Sequence, residues 1–334
     1  MAGRRSVWSD PRLIERARSF VPATDEVWRL QRGLGPESRA FQRMADRGHY
    51  RGKGGSRQGI YVCTPDGELL ASINSLSADR VLATMEEGLA AWNALDEDAR
   101  RAGLERAPDD LDQEPRWEWS YPVGGLVLRS VNRDLPPDGL PGSPPPSERA
   151  NLDHAWFSAK EARGFLPDVL EVGRTFDVDP LLTTRLARFH LVDNVRGQTL
   201  PFAPGEVQGS RITGTVVRAS GDEVELRFQG STVAEADGVW RLGENDWTPT
   251  REWPRSLSTR ILGRAVWDLR RQEFSSFELV SVGRRHGVTG LNRPPEDVAG
   301  PIGFLFEEAG DTPAEHIAPA FVDVYDAPWI QALD

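Results

Sequence analysis

Apolar and polar positions follow two rhythms along this chain, and the change falls before its midpoint. In the first hundred residues the spacing is mostly helical. Leu13, Ile14 and Ala17 follow Asp10-Pro11, a capping acceptor with proline at the first helical position. A short strand is expected over 20–24, then a helix over 37–48 with Phe41, Met44 and Ala45 on one face. Segments 59–64 and 68–72 flank Pro65-Asp66-Gly67, which predicts a hairpin. Ser77 then caps a long helix with Val81, Leu82, Met85, Leu89 and Trp92 along one stripe.

From about residue 151 a period of two takes over. Segments 211–219 and 223–229 alternate around Ser220-Gly221-Asp222, and 259–269 and 274–283 around Arg270-Arg271-Gln272-Glu273. Two further strands are expected over 302–307 and 320–325, and one helix over 158–165. Residues 180–193 fit either element: Leu182, Leu186 and Phe189 suit a helix, whereas Ala187, Phe189 and Leu191 suit a strand. Between the two regimes, 98–150 is acidic and then rich in proline and glycine, with one strand over 124–133. The fold class expected is α+β. An α/β domain over 1–97 is followed by a linker over 98–150 and by a larger β-rich sandwich or open barrel over 151–334.

Composition narrows the partners. Hydrophobic residues at 39% and charged residues at 27% describe a globular chain. With 40 basic against 51 acidic residues the net charge is −11, which disfavours nucleic acid as a partner. Lys53 and Lys160 are the only lysines; the scattered arginines fit a high-GC bacterial codon bias better than selection for anion recognition. No apolar run approaches the ~18–20 residues that span a bilayer, so no membrane partner is expected. Arg4-Arg5 lead into no apolar stretch that would read as a secretory signal. A single cysteine, Cys63, points to a reducing cytoplasm.

The segment Trp8-Ser9-Asp10-Pro11-Arg12-Leu13-Ile14 resembles the active-site turn of the thioredoxin-like superfamily running into its helix. The order helix, strand, helix, hairpin, helix over 1–97 is similar to the later part of that fold. The resemblance implies a reactive cysteine pair at the positions held here by Ser9 and Arg12, so the family's dithiol chemistry is missing. The proline that the family places before the hairpin is replaced by Ser56-Arg57-Gln58. Seven residues before Trp8 are too few for an opening strand and crossover, so either that strand is lacking or a segment from the second domain completes the sheet.

Candidate chemistry lies in two loops. His49-Tyr50-Arg51-Gly52-Lys53-Gly54-Gly55-Ser56-Arg57-Gln58 combines a histidine, cations and glycines, a setting for an anion or else a solvated loop. His190 to Gly197 is dense in hydrogen-bonding groups, which form either a ligand site or a buried turn network. His190 and Asp193 are the candidate catalytic pair, with Asp193 orienting the ring, and Arg57, Arg196, His49 and Asn194 are candidate ligand contacts; Arg57, His190, Asp193 and Arg196 are expected to border one inter-domain cleft. His154, His190 and His286 are candidate ligands of a divalent metal, although none shows a local ligand spacing. The leading function is a two-domain protein without dithiol activity that binds or scaffolds a small molecule or a protein. The alternatives are a metal- or His/Asp-dependent enzyme, and a carbohydrate-binding β domain drawn from the eleven tryptophans. Cys63, between Val62 and Thr64, is expected to be a buried strand residue.

With Ser9 and Arg12 in place of both cysteines, the protein should not catalyse insulin reduction by dithiothreitol. Turnover that persists in Cys63→Ser would contradict this reading.

Overall fold

The structure, a computed structural model, describes residues 7–8, 10–25, 27–51, 56–105, 117–137, 150–195, 199–237, 254–287, 299–312, 315–322, 325 and 327–330. It combines helices with a large antiparallel sheet, and the chain divides into two compact units, Gly3–Pro115 and Arg116–Asp334.

The first unit is helical around one hairpin. Helix α1 (Pro11–Ala17) starts where Asp10 accepts the Arg12 N–H at 2.9 Å. Helices α2 (Val27–Arg32) and α3 (Pro36–Arg47) follow, then strands β1 (Ile60–Cys63) and β2 (Leu69–Ile73), which pair antiparallel. Gly67 takes φ +86° in their turn, a backbone that favours glycine. Helix α4 (Ala78–Ala94) is capped by Ser77 and buries Val81 and Met85 against Val7 and Leu13. At Gly88 it passes so close to β1 that a Cβ would stand 2.4 Å from Val62 Cγ1. Helix α5 (Glu97–Glu105) completes the unit.

The strand expected over 20–24 does not form. Pro22 lacks the N–H a ladder needs, and Val21 is 96% exposed, so nothing draws the segment into a sheet. Among the described residues the first unit's sheet has two strands. Ser9 lies outside the described residues, and Arg12 is held by Asp10 at 2.8 Å and Asp79 at 2.9 Å.

The second unit is built on one antiparallel sheet. Its strands are β3 (Leu126–Asp134), β4 (Ala150–Phe157), β5 (Thr175–Asp177), β6 (Val207–Ser220), β7 (Glu223–Ala236), β8 (Arg255–Asp268), β9 (Glu273–Gly287) and β10 (Gly300–Glu308). They are ordered β4-β3-β10-β9-β8-β7-β6-β5. Strands β6 to β10 are adjacent in chain order, joined first by a turn at Gly221, φ +61°. The strand expected inside a linker is β3, which pairs with both β10 and β4 and so belongs to this sheet.

The sheet curls. The Phe165 ring lies 5.2 Å from Phe157 on β4, 6.3 Å from Phe228 on β7 and 5.2 Å from Phe277 on β9. In a flat sheet β4 and β7 would be ~24 Å apart, too far to touch one phenyl ring. Phe165 follows helix α6 (Ala159–Ala162), whose start is a capping box between Ser158 and Glu161. Helix α7 (Pro180–Arg185), capped by Asp179, continues into a π-turn (Leu186–His190) with the Leu191 N–H on the Leu186 carbonyl at 2.7 Å. All five residues of that turn are buried, which explains why 180–193 showed no single period. The expected strand over 320–325 is instead a turn where described, at 320–322.

Among the described residues no helix is long and apolar enough to cross a membrane. Trp156 and Trp267 are core residues and Trp119 is 53% exposed, while Trp240, Trp247 and Trp253 lie outside the described residues.

Cys63 corrects an expectation. Val62 takes the inward position of β1, so the alternation turns Cys63 outward, where it is exposed. Partial desolvation, then the charge of Asp66, push its thiol up from the usual range. Ellman's reagent should therefore label Cys63 in the folded protein, slowly at neutral pH and faster as pH rises. Labelling that waits for denaturant would show the sulfur to be covered.

Candidate polar site inside the sheet

The inner face of the sheet changes character along its strands. On β3 the inward positions read Leu126, Leu128, Ser130, Asn132 and Asp134, all at most 2% exposed. On β9 they read Phe277, Leu279, Ser281, Gly283 and Arg285. Asp153 on β4 is the register partner of Ser130. One end of the interior is thus apolar and the other polar. Arg285 reaches the Asp134 carboxylate, and its Nη1 lies 3.3 Å from Asp193 Oδ2. It passes over Gly300, where a Cβ would already be 3.5 Å from Nη2.

His190 joins this end from the π-turn. Its Nε2 is 2.6 Å from the Tyr325 hydroxyl, which also accepts the Trp156 backbone N–H at 3.2 Å. The hydroxyl keeps one proton and a second lone pair for Nε2, so the direction of that bond follows the tautomer of the ring. The other ring nitrogen, Nδ1, is buried without a hydrogen-bond partner among the described residues, and Asp153 Oδ2 stands 3.6 Å from it, beyond hydrogen-bond reach. The other Asp153 oxygen accepts the Ala320 N–H at 2.9 Å. Burial pushes the Tyr325 phenol well above its usual range, against the charge of Arg185 and the Trp156 N–H, so it keeps its proton.

Asp193 does not orient His190. The chain turns at 192–194, sending the Asp193 carboxylate to Arg285 and the Val195 N–H. Its carbonyl accepts the Thr199 hydroxyl at 2.5 Å, while Asn194 Oδ1 accepts the Thr199 N–H at 2.7 Å. Both residues brace this loop. The carboxylate of Asp153 stands 3.6 Å from the ring, and the hydrogen-bonded partner of His190 is Tyr325, which the sequence did not point to.

No protein-family model matches this chain, and no curated protein or solved structure matches it.

The remaining candidates stand elsewhere. His154 points to the opposite face of β4 from Asp153 and meets Glu315 at 3.0 Å. His286 is exposed near the end of β9, opposite Ser256. Among the described residues no group of three or more His, Cys, Asp or Glu could hold a metal ion, so the expected set of His154, His190 and His286 is not assembled. In the first unit Arg57 grips Asp46 at 2.6 Å and 3.2 Å, and His49 Nε2 lies 3.3 Å from the Gln58 carbonyl. The structure gathers His190, Asp193 and Asn194 in the second unit, whereas His49 and Arg57 form a separate set in the first. Arg196 lies outside the described residues.

Three inward atoms at the polar end are buried without a hydrogen-bond partner among the described residues: Asn132 Oδ1, Ser281 Oγ and Arg285 Nε. Asn132 and Ser281 flank Phe304 in one cross-strand row, and Asp134 and Gly283 flank Ile302 in the next. A donor, an acceptor and a hydroxyl therefore share one end of the interior.

His190→Ala should destabilise the second unit by about 1–3 kcal/mol, since it takes the ring partner from the buried Tyr325 hydroxyl. Tyr325→Phe should cost about 1 kcal/mol by freeing the Trp156 N–H. Urea denaturation measures both; an unchanged midpoint for His190→Ala would show the ring to be detached from this network.

Proposed function

We propose that the chain is a binding protein without dithiol chemistry, and that its second unit is an open β-barrel taking a small polar ligand at the polar end of its interior. The observation that carries this is the grouping of Asn132 Oδ1, Ser281 Oγ and Arg285 Nε, buried and unpaired on inner faces of the sheet. Folded proteins pair nearly all buried polar groups, and an unpaired one costs about 1–3 kcal/mol. A ligand carrying both a donor and an acceptor, such as a small hydroxy or carboxamide compound, would satisfy all three. The curl of the sheet around Phe165 supports the barrel reading. The thioredoxin-like reading of the first unit is supported by its hairpin followed by a Ser77-capped helix, with Arg12 tied to two aspartates where the family keeps a thiol. One cysteine in the chain fits a reducing, cytoplasmic setting.

A second reading is favoured by one observation. Tyr325, His190 and Asp153 stand in line, with Nε2 at 2.6 Å from the hydroxyl and Nδ1 at 3.6 Å from the carboxylate, and a general acid–base enzyme uses these three groups at closer range. His190 is 2% exposed, so a substrate would have to replace Tyr325 to reach it. Binding is therefore the stronger reading.

A thermal-shift screen with sugars, amino acids and hydroxy acids tests it. Ligand at one hundred times its Kd should stabilise the wild type by about 2.7 kcal/mol, and Asn132→Leu should abolish that shift. Failure of every class, together with a more stable Ser281→Ala variant, would reduce the cluster to an internal polar defect.

A further inference from the structure

The outer face of the same sheet carries a separate feature. Register places Leu152 on β4, Val131 on β3, Leu305 on β10, Val280 on β9 and Leu262 on β8 side by side in one cross-strand row. All have outward parity, and Leu262 is 68% exposed. Val282, 52% exposed, extends the row along β9. Exposed aliphatics are ordinary when scattered; a continuous row across adjacent strands is not.

The two borders of the row differ in charge. On one side Arg129 pairs with Glu307 at 2.9 Å and Arg264 with Glu278 at 2.9 Å, so that border is nearly neutral. On the other side stand Arg133, Arg260 and Arg284, exposed and without an acidic partner among the described residues. Arg260 is the register partner of Val282, and Arg284 is the next outward residue on β9. A chain of net charge −11 thus presents a locally basic border beside its apolar row.

We propose that this face docks an acidic segment of another protein, with aliphatic side chains on the row and carboxylates against Arg133, Arg260 and Arg284. Charge complementarity selects that occupant. A second copy of this chain would bring an equally basic border to the contact. An anionic bilayer would meet Glu278 and Glu307 as well as the arginines. A nucleic acid would have to lay phosphates over leucine and valine. The inference uses the outer face alone and does not depend on a ligand in the interior.

The test uses the full chain and two fluorescein-labelled amphipathic peptides, one of leucine and glutamate and one with lysine for each glutamate. Anisotropy should show binding of the glutamate peptide only, tightening as salt is lowered. Leu262→Ser and Arg260→Glu should each weaken it about tenfold; both residues are exposed, and unchanged urea midpoints would confirm that both variants fold. Absence of binding, or equal binding of the two peptides, would overturn the proposal. So would a dimer in sedimentation that Leu262→Ser abolishes, which makes a second copy the occupant. Binding to anionic vesicles that Leu262→Ser abolishes would overturn it in favour of a membrane face.

Discussion

The second unit is organised around one ion pair, the buried Arg185 with the half-buried Glu161. Both guanidinium Nη atoms meet the carboxylate, at 2.9 Å and 2.6 Å, and Nη1 also reaches the Trp156 carbonyl at 3.2 Å. The guanidinium lies over Tyr325 at 4.9 Å and Phe157 at 5.5 Å. Glu161 meanwhile accepts the Ser158 N–H and the Trp329 indole N–H. Two helices, the open edge of β4 and the C-terminal segment therefore converge on one pair of charges. Burial alone would push the Glu161 carboxyl up; the bonds and charge of Arg185, with Ser158 and Trp329, more than offset this and hold it below its usual range. Such a pair adds little net stability against an apolar replacement, yet removing Glu161 strands the buried Arg185 charge at about 3–5 kcal/mol. Its contribution is placement: Arg185 lies over the Tyr325 ring, and the Tyr325 hydroxyl meets His190 Nε2 at 2.6 Å.

The polar end of the interior makes sense only beside the apolar one. Phe157, Phe165, Phe228 and Phe277 fill one end with aromatic contacts, a sufficient core for the strands around them. That leaves the other end free to hold groups that weaken a fold. Two aspartates on one arginine, with an asparagine and a serine nearby, offer no hydrophobic gain. They are retained within a sheet whose long ladders already fix its geometry. The Tyr325 hydroxyl also takes the outward N–H of Trp156, so the same segment that completes the polar network blunts an edge strand.

How much of this the sequence discloses depends on how local each determinant is. The hairpins β6–β7 and β8–β9 follow from alternation and turn residues, and both lie where those signals place them, though longer. Caps at Asp10, Ser77 and Ser158 are equally local, and all three form. Membership of a sheet is not local: nothing in 124–133 says that it will pair with a strand at 300–308. The polar loop at 190–197 is legible as dense in hydrogen-bonding groups, but its partners are not. Tyr325 lies 135 residues from His190, and Asp153 reaches it from an edge strand. One signal was available in β3, where alternation puts Ser130, Asn132 and Asp134 on the face of Leu126 and Leu128. Three polar residues continuing a buried face mark a polar interior.

Strand β9 ties the two proposed surfaces together. Ser281 and Arg285 face inward, while Val280, Val282 and Arg284 face outward. Side chains alternate with a period of two, so a slip of one residue would exchange these sets. Val282 and Arg284 would enter the interior beside Asp134, and Arg285 would be stranded on the surface. The pairing of β9 with β8 guards against this through many consecutive partners, from Arg255–Gly287 to Asp268–Glu273. Phe274, Phe277 and Leu279 anchor its buried half. The apolar end of the strand thus sets the register for both surfaces. Substitutions among those aromatic residues should disturb the interior polar cluster and the outer arginine border together, although they touch neither.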